Sequence, residues 1–178
     1  MRDIALIGRA RSGKDTVGAR LVDRFGYTRL AFADPLKEMA LEIDPVIPMV
    51  EGIHMRLSRI VKNIGWDTAK EHFPEVRRIL QHTGQTLRDR DPNYWIHTLI
   101  RNLPEPSDIP VVVTDVRYAN EADTLADHGF RLVRIDRPGV PEMSHTSETE
   151  LGNIYAPIRI VNSGTIEDLY AHADTLPF

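Results

Sequence analysis

The chain has no cysteine, which excludes disulfides, a thiol nucleophile and any cysteine-ligated metal. It has no excess of basic charge. Its 22 Lys and Arg residues face 26 Asp and Glu, for a formal net charge of -4. General binding to a nucleic-acid backbone is therefore not expected. Long hydrophobic runs are also missing. The first apolar run, Ile4-Ala5-Leu6-Ile7, is far too short for a signal-peptide core or a membrane span. Histidine spacing builds no metal site, and there are no repeats or low-complexity tracts. What remains is an ordinary globular balance, 42% hydrophobic and 27% charged over 178 residues, the size of one domain. A soluble intracellular protein is expected.

Apolar periodicity alternates between strand and helix. Residues 4–7 read as a buried strand. A glycine-rich turn follows, then a helix at 14–25 with Val17, Leu21, Val22 and Phe25 on one stripe and Gly26 to stop it. A short strand at 27–33 leads to Asp34 and Pro35, a cap and first-turn proline for a helix at 36–42. Pro45 and Pro48 predict a break before a helix at 50–64. Helices at 74–81 and 92–102 and a proline-rich loop at 103–110 complete a polar middle. Strands at 111–114, 130–135 and 157–161 then alternate with helices at 119–128 and 165–173, the last capped by Thr165. This order predicts a three-layer α/β fold with a parallel sheet. The helices of 50–102 read as an insertion over the carboxyl ends of the strands, where such folds bind ligands. The polar stretch 137–150, with Pro138, Gly139 and Pro141, reads as a mobile excursion.

Gly8-Arg9-Ala10-Arg11-Ser12-Gly13-Lys14-Asp15-Thr16 is nearly the phosphate-loop pattern G-x-x-x-x-G-K-[ST], and it falls between a buried strand and a helix start. Successive backbone N–H groups and the helix N-terminus can surround a β-phosphate. Lys14 is placed to bridge β- and γ-phosphates. Asp15 replaces the usual Ser or Thr. Its carboxylate is a hard ligand that suits Mg²⁺, directly or through water, or else it caps the helix. Thr16 is placed to donate to the α-phosphate. The expected nucleotide-binding set is thus Arg11, Ser12, Gly13, Lys14, Asp15 and Thr16, and the expected chemistry is ATP-dependent phosphoryl transfer.

Other constellations leave two readings each. Asp115 follows the strand 111–114, as a second Mg²⁺-holding group does, or it is a helix N-cap. Arg117 binds phosphate beside it or pairs with Glu121. Asp34 and Lys37 open a helix; a lysine in a first turn suits a bound phosphate, and otherwise it is only exposed. Gln81, Gln85, Arg88, Arg90 and Trp95 surround Gly84. Glutamines suit a base edge, arginines a phosphate and Trp95 a stacked base, unless Trp95 is a core residue. Arg131, Arg134 and Arg137 lie three apart, and Arg137 is the best placed to neutralise a phosphate in transfer. Its alternative is a surface pairing with Asp136 or Glu142. The segment from Ser147 to Glu150 also fits a helix start.

Taken together, the chain resembles the deoxynucleoside monophosphate kinases of tailed bacteriophages, within the nucleoside-monophosphate-kinase-like P-loop group. The resemblance is carried by Gly8–Thr16, Phe32-Ala33-Asp34-Pro35-Leu36-Lys37, Leu80-Gln81 with Gly84-Gln85, Asp91-Pro92 with Trp95, Thr114-Asp115-Val116-Arg117 with Asn120-Glu121, and Ser144-His145 with Ser147-Glu148. It implies a five-stranded parallel sheet, a helical acceptor region at about 50–102 and a lid at about 137–150. It further implies transfer of the ATP γ-phosphate to a deoxynucleoside monophosphate with Mg²⁺, in the cytoplasm of an infected bacterial host. Lys14, Asp115, Arg117 and Arg137 would be catalytic, with Asp15 and Asp115 on the metal. Lys37, Arg59, Gln81, Gln85, Arg88 and Trp95 would hold the acceptor, with Asp34 and Glu148 as further polar contacts. No nucleic acid or membrane is implied, and a homodimer is left open. The competing expectations are another small-molecule kinase, acting on dephospho-coenzyme A, phosphomevalonate or a sugar acid, and a P-loop nucleotide switch.

Overall fold

The computed structural model describes residues 1–104, 109–140 and 150–178. Along the chain these form β1 (Ile4–Ile7), α1 (Lys14–Phe25), β2 (Thr28–Leu30), α2 (Ala33–Ile43), β3 (Val46–Pro48), a 3₁₀ turn (Val50–Gly52) and β4 (His54–Arg56). Then come α3 (Leu57–His72), α4 (Pro74–Arg90), α5 (Tyr94–Arg101), β5 (Val111–Val116), α6 (Ala119–Asp127) and β6 (Arg131–Asp136). A second 3₁₀ turn (Glu150–Asn153), β7 (Ile158–Val161) and α7 (Ile166–Ala173) close the chain. The chain divides into two compact units, Met1–Phe32 with Leu99–Phe178, and Ala33–Thr98.

The first unit is built on five strands in the order β2-β5-β1-β6-β7, every pair parallel. The expected α/β fold with a five-stranded parallel sheet is therefore the observed one. All four residues of β1 are fully buried, as a central parallel strand covered on both faces requires. Val17 and Leu21 of α1 pack with Ile4, Leu6, Val112 and Val133 in one core. The chain runs from β1 to one side of the sheet and later returns to its other side. The carboxyl end of β1 is thus a topological switch point, where open α/β sheets place ligands.

One polar residue supports the far end of β5. Glu121, in the first turn of α6, is 2% exposed. Its Oε2 accepts the backbone N–H groups of Arg117 (2.9 Å) and Tyr118 (3.2 Å). These donors precede the helix and have no intrahelical acceptor. Glu121→Ala should cost about 1–3 kcal/mol by removing the buried acceptor of these two N–H groups. Chemical denaturation checks this, and Glu121→Gln, which keeps an acceptor oxygen, should lose distinctly less.

The second unit has its own core of Ala40, Ile47, Leu57, Ile60, Ala69 and Val76. It runs from residue 33 to 98, and α2 contributes Ala40 to its core. The expected helix at 50–64 is instead a 3₁₀ turn, a short strand and the start of α3. β3 and β4 pair antiparallel, Ile47 opposite Met55, and Asp44 Oδ1 accepts the Ser58 N–H at 2.8 Å near the start of α3. Helix α4 runs to Arg90, past the expected end at 81. Gly84 does not break it, because a Cβ there would lie 3.2 Å from Leu36 Cδ2. The missing side chain admits α2 and offsets the roughly 1 kcal/mol helix penalty of glycine.

Candidate active site

The turn after β1 has the local geometry its sequence predicts. Gly13 caps α1 with φ 103°, a conformation that L side chains rarely adopt. The first helical bond runs from Val17 N–H to Gly13 O at 3.0 Å. The N–H groups of Lys14, Asp15 and Thr16 therefore precede the first donor of the helix ladder, and such free donors are what makes a helix start suit an anion. Ser12 is 1% exposed and Lys14 5%. Ser12 Oγ is a buried hydroxyl with no protein partner among the described residues. Lys14 Nζ rests 3.3 Å from Asp15 Oδ2, whose side chain is 78% exposed.

A cavity of about 410 Å³ opens beside this loop. Arg11, Gly13, Asp15 and Thr16 line it from the loop, and Arg137 from the end of β6. Asn162, Gly164, Thr165, Ile166 and Leu169 line it from the turn after β7 and from α7. The β7 turn was missed by sequence reasoning, since no phosphate motif marks it. Asn162 Nδ2 donates to Ser12 O at 2.9 Å, a contact between residues 150 positions apart and invisible to local pattern.

Asp115 lies within β5, one register further than the expected strand end. It is not the cap of α6, which is Tyr118. Its Oδ1 accepts the Phe32 N–H at 2.8 Å. Glu121 is engaged by the backbone of Arg117 rather than marking only a side-chain pair. Of the three spaced arginines, Arg131 donates to Leu176 O and Phe178 O. Arg134 donates to Leu151 O and Ile154 O, both at 2.6 Å. Asp136 is bonded by Arg159 Nε at 2.6 Å. Arg137 is the one of the three that lines the cavity.

The acceptor-side candidates fall in the second unit. Gln81, Gln85 and Arg88 are spaced by four and three residues along α4, so they share a helix face. Gln85 Nε2 donates to Asp89 Oδ1 at 2.7 Å, and Arg88 Nη1 reaches Pro92 O at 3.4 Å. Lys37 Nζ pairs with Asp34 Oδ1 at 3.1 Å. Arg59 is exposed on α3. Trp95 is 4% exposed and its indole N–H bonds Gly84 O at 3.1 Å, so in this structure it is a core residue. Glu148 and most of the expected lid, 141–149, lie outside the described residues.

No family model matches the chain. A protein of Acanthamoeba polyphaga mimivirus is 32% identical, aligned over 94% of this chain and 92% of its own. It bears the provisional name deoxynucleotide monophosphate kinase. The chain belongs to this deoxynucleotide monophosphate kinase family. The kinase is also 31% and 29% identical to the uncharacterized proteins ORF76 and ORF77 of Ictalurid herpesvirus 1 (strain Auburn). It spans 64% of the length of each. These relatives come from a mimivirus and a herpesvirus, whereas the sequence resemblance points to tailed bacteriophages. Among solved structures, a gluconokinase from Sinorhizobium meliloti 1021 and a shikimate kinase from Aquifex aeolicus vf5 each superpose with a TM-score of 0.48 at 18% identity. They cover 97% of this chain, and 89% and 92% of their own. Likeness at that level adds nothing to the strand order already described. Among the described residues no helix is long and apolar enough to cross a membrane.

Proposed function

We propose that this kinase transfers the γ-phosphate of ATP to a deoxynucleoside 5′-monophosphate, giving the diphosphate and ADP. The observation that carries the phosphoryl-transfer reading is the cavity at the end of β1, lined by the loop residues Gly13, Asp15 and Thr16 and by Arg137. The choice of acceptor rests on the family and on the polar face of α4.

The donor's phosphates would lie against the N–H groups that open α1, with Lys14 at the first position of that helix as a cation for them. The buried, unpartnered Ser12 hydroxyl fits a loop that is completed by a ligand. The residues also fit Mg²⁺. Among the described residues no cluster of three or more His, Cys, Asp or Glu forms a metal cage. Mg²⁺ is commonly held by one or two carboxylates together with substrate phosphates. Asp15 and Asp115 are the carboxylates that would hold it. The bound ion would supply charge neutralisation on the phosphate oxygens. No strong base is required from the chain, because the attacking oxygen of a monophosphate is already ionised. Arg137 would place a fork of donors on the oxygens in transfer. Lys37, Arg59, Gln81, Gln85 and Arg88, with Asp34, would bind the acceptor, and the product would serve deoxynucleotide supply for phage DNA synthesis.

Product analysis with ATP, Mg²⁺ and a panel of ribo- and deoxyribonucleoside monophosphates tests this. Deoxynucleoside diphosphates and ADP should appear together. A ribose 2′-hydroxyl left unpaired in the site should reduce kcat/KM by roughly ten- to a hundred-fold, from about 1–3 kcal/mol. Equal efficiency with GMP and dGMP would remove the deoxy preference. Faster turnover of a sugar acid, phosphomevalonate or dephospho-coenzyme A would replace the acceptor class. ATP hydrolysis with no phosphorylated product would point to a nucleotide switch.

A further inference from the structure

The phosphate loop contains a weak point in its own chemistry. The peptide joining Ser12 to Gly13 is followed by a residue with no side chain and φ 103°. Nothing in such a glycine resists rotation of the peptide that precedes it. The N–H of that peptide belongs to Gly13 and directly precedes the Lys14, Asp15 and Thr16 donors that begin α1. Its direction therefore decides whether the row of donors is continuous.

The restraint comes from the other end of the sheet. Asn162 Nδ2 donates to Ser12 O at 2.9 Å. Among the described residues no peptide bond is cis, and in a trans peptide the carbonyl and the N–H point in opposite directions. Holding the Ser12 carbonyl on Asn162 therefore turns the Gly13 N–H away from Asn162 and keeps it there. Asn162 is itself well fixed. Its backbone N–H continues the β6–β7 ladder by bonding Asp136 O at 2.7 Å, and Arg159 of β7 bonds the Asp136 carboxylate. The approach is so close that a Cβ on Gly13 would lie 2.6 Å from Asn162 Nδ2. The glycine is thus required by the asparagine as well as by the turn.

We propose that Asn162 is a positioning residue for phosphate binding, acting through the Ser12 carbonyl to orient the Gly13 N–H. The proposal rests on reading Gly8–Lys14 as the phosphate loop. Because Asn162 also lines the cavity, a direct contact with the nucleoside is the rival role. Calorimetric titration of the full chain with inorganic tripolyphosphate, ADP and adenosine, without metal, separates the two. Asn162→Leu, which has similar size but no donor, should weaken tripolyphosphate and ADP by the same factor, about ten-fold for one net hydrogen bond. Adenosine should be unaffected. Asn162→Asp should be weak near neutral pH. Relative to the wild type at each pH it should recover towards about pH 5, as its carboxyl gains a proton to donate. Loss for ADP but not for tripolyphosphate, or no loss in Asn162→Leu, overturns the proposal. If Asn162→Leu does not fold, absence of acid recovery in Asn162→Asp overturns it. Lys14→Ala is the separate check on the loop. Unchanged tripolyphosphate binding there removes the phosphate-loop reading and the proposal together, whereas a sensitive Lys14 with an indifferent Asn162 removes the proposal alone.

Discussion

Lys14→Ala should lower kcat by about 10²–10³ or more while the protein stays folded. The scale is that of removing one preorganised electrostatic stabiliser from a site where charge moves. Lys14 is 5% exposed at the first position of α1, beside the donors that open the helix. Its ammonium pairs with the largely exposed Asp15 at 3.3 Å. With Asp15 largely exposed, this pair is screened by solvent and contributes little to stability, so the protein should stay folded without it. Lys14→Met, which keeps the buried stem, should be as inactive as Lys14→Ala and at least as stable. Steady-state kinetics with a thermal melt of each variant measures both effects. Near-normal turnover by a folded Lys14→Ala protein would end the phosphate-loop reading.

For Arg137→Ala we expect kcat to fall by about 10³, the lower range for an arginine that stabilises transferring phosphate. The affinity for ATP alone should be almost unchanged, since the contact matters most as charge develops. Two neighbours make the choice of Arg137 specific. Arg134 is held by the Leu151 and Ile154 carbonyls, and Arg131 by the carbonyls of Leu176 and Phe178. Arg134→Ala should therefore lower stability with kcat largely preserved. Measuring kcat, ATP affinity and melting temperature for both variants decides between them. The assignment fails if Arg137→Ala retains its kcat, or if Arg134→Ala loses turnover without losing stability.

The phosphate loop was readable because its determinants are local. A buried four-residue strand, two glycines, a lysine and an amphipathic helix follow one another within β1 and α1. The remaining parallel strands were readable from short apolar runs, although β2 is shorter than expected because Phe32 N–H turns to Asp115. The β3–β4 hairpin was not readable. Its three-residue strands are too short to show alternation, and two prolines mark only a break. The extension of α4 was equally hidden, because the contact that compensates Gly84 comes from Leu36 on another helix. From its neighbours in sequence, Trp95 admits both a stacked-base reading and a core reading. Its burial is set by packing with α4, which sequence spacing does not encode. Asn162 carries the same lesson in reverse, since its partner lies at the opposite end of the chain.

The two margins of the sheet are short, β2 with three residues and β7 with four, and each has an arginine at its second position, Arg29 and Arg159. A bare strand edge offers unpaired N–H and C=O groups to any other extended chain. Here a stranger docking on either side would find few backbone groups to match and a fixed positive charge in the way. On the β7 side that charge is also tethered to Asp136, so it cannot easily swing aside. Both margins thus discourage growth of the sheet, and on the β7 side the arginine that does so also braces the turn that carries Asn162.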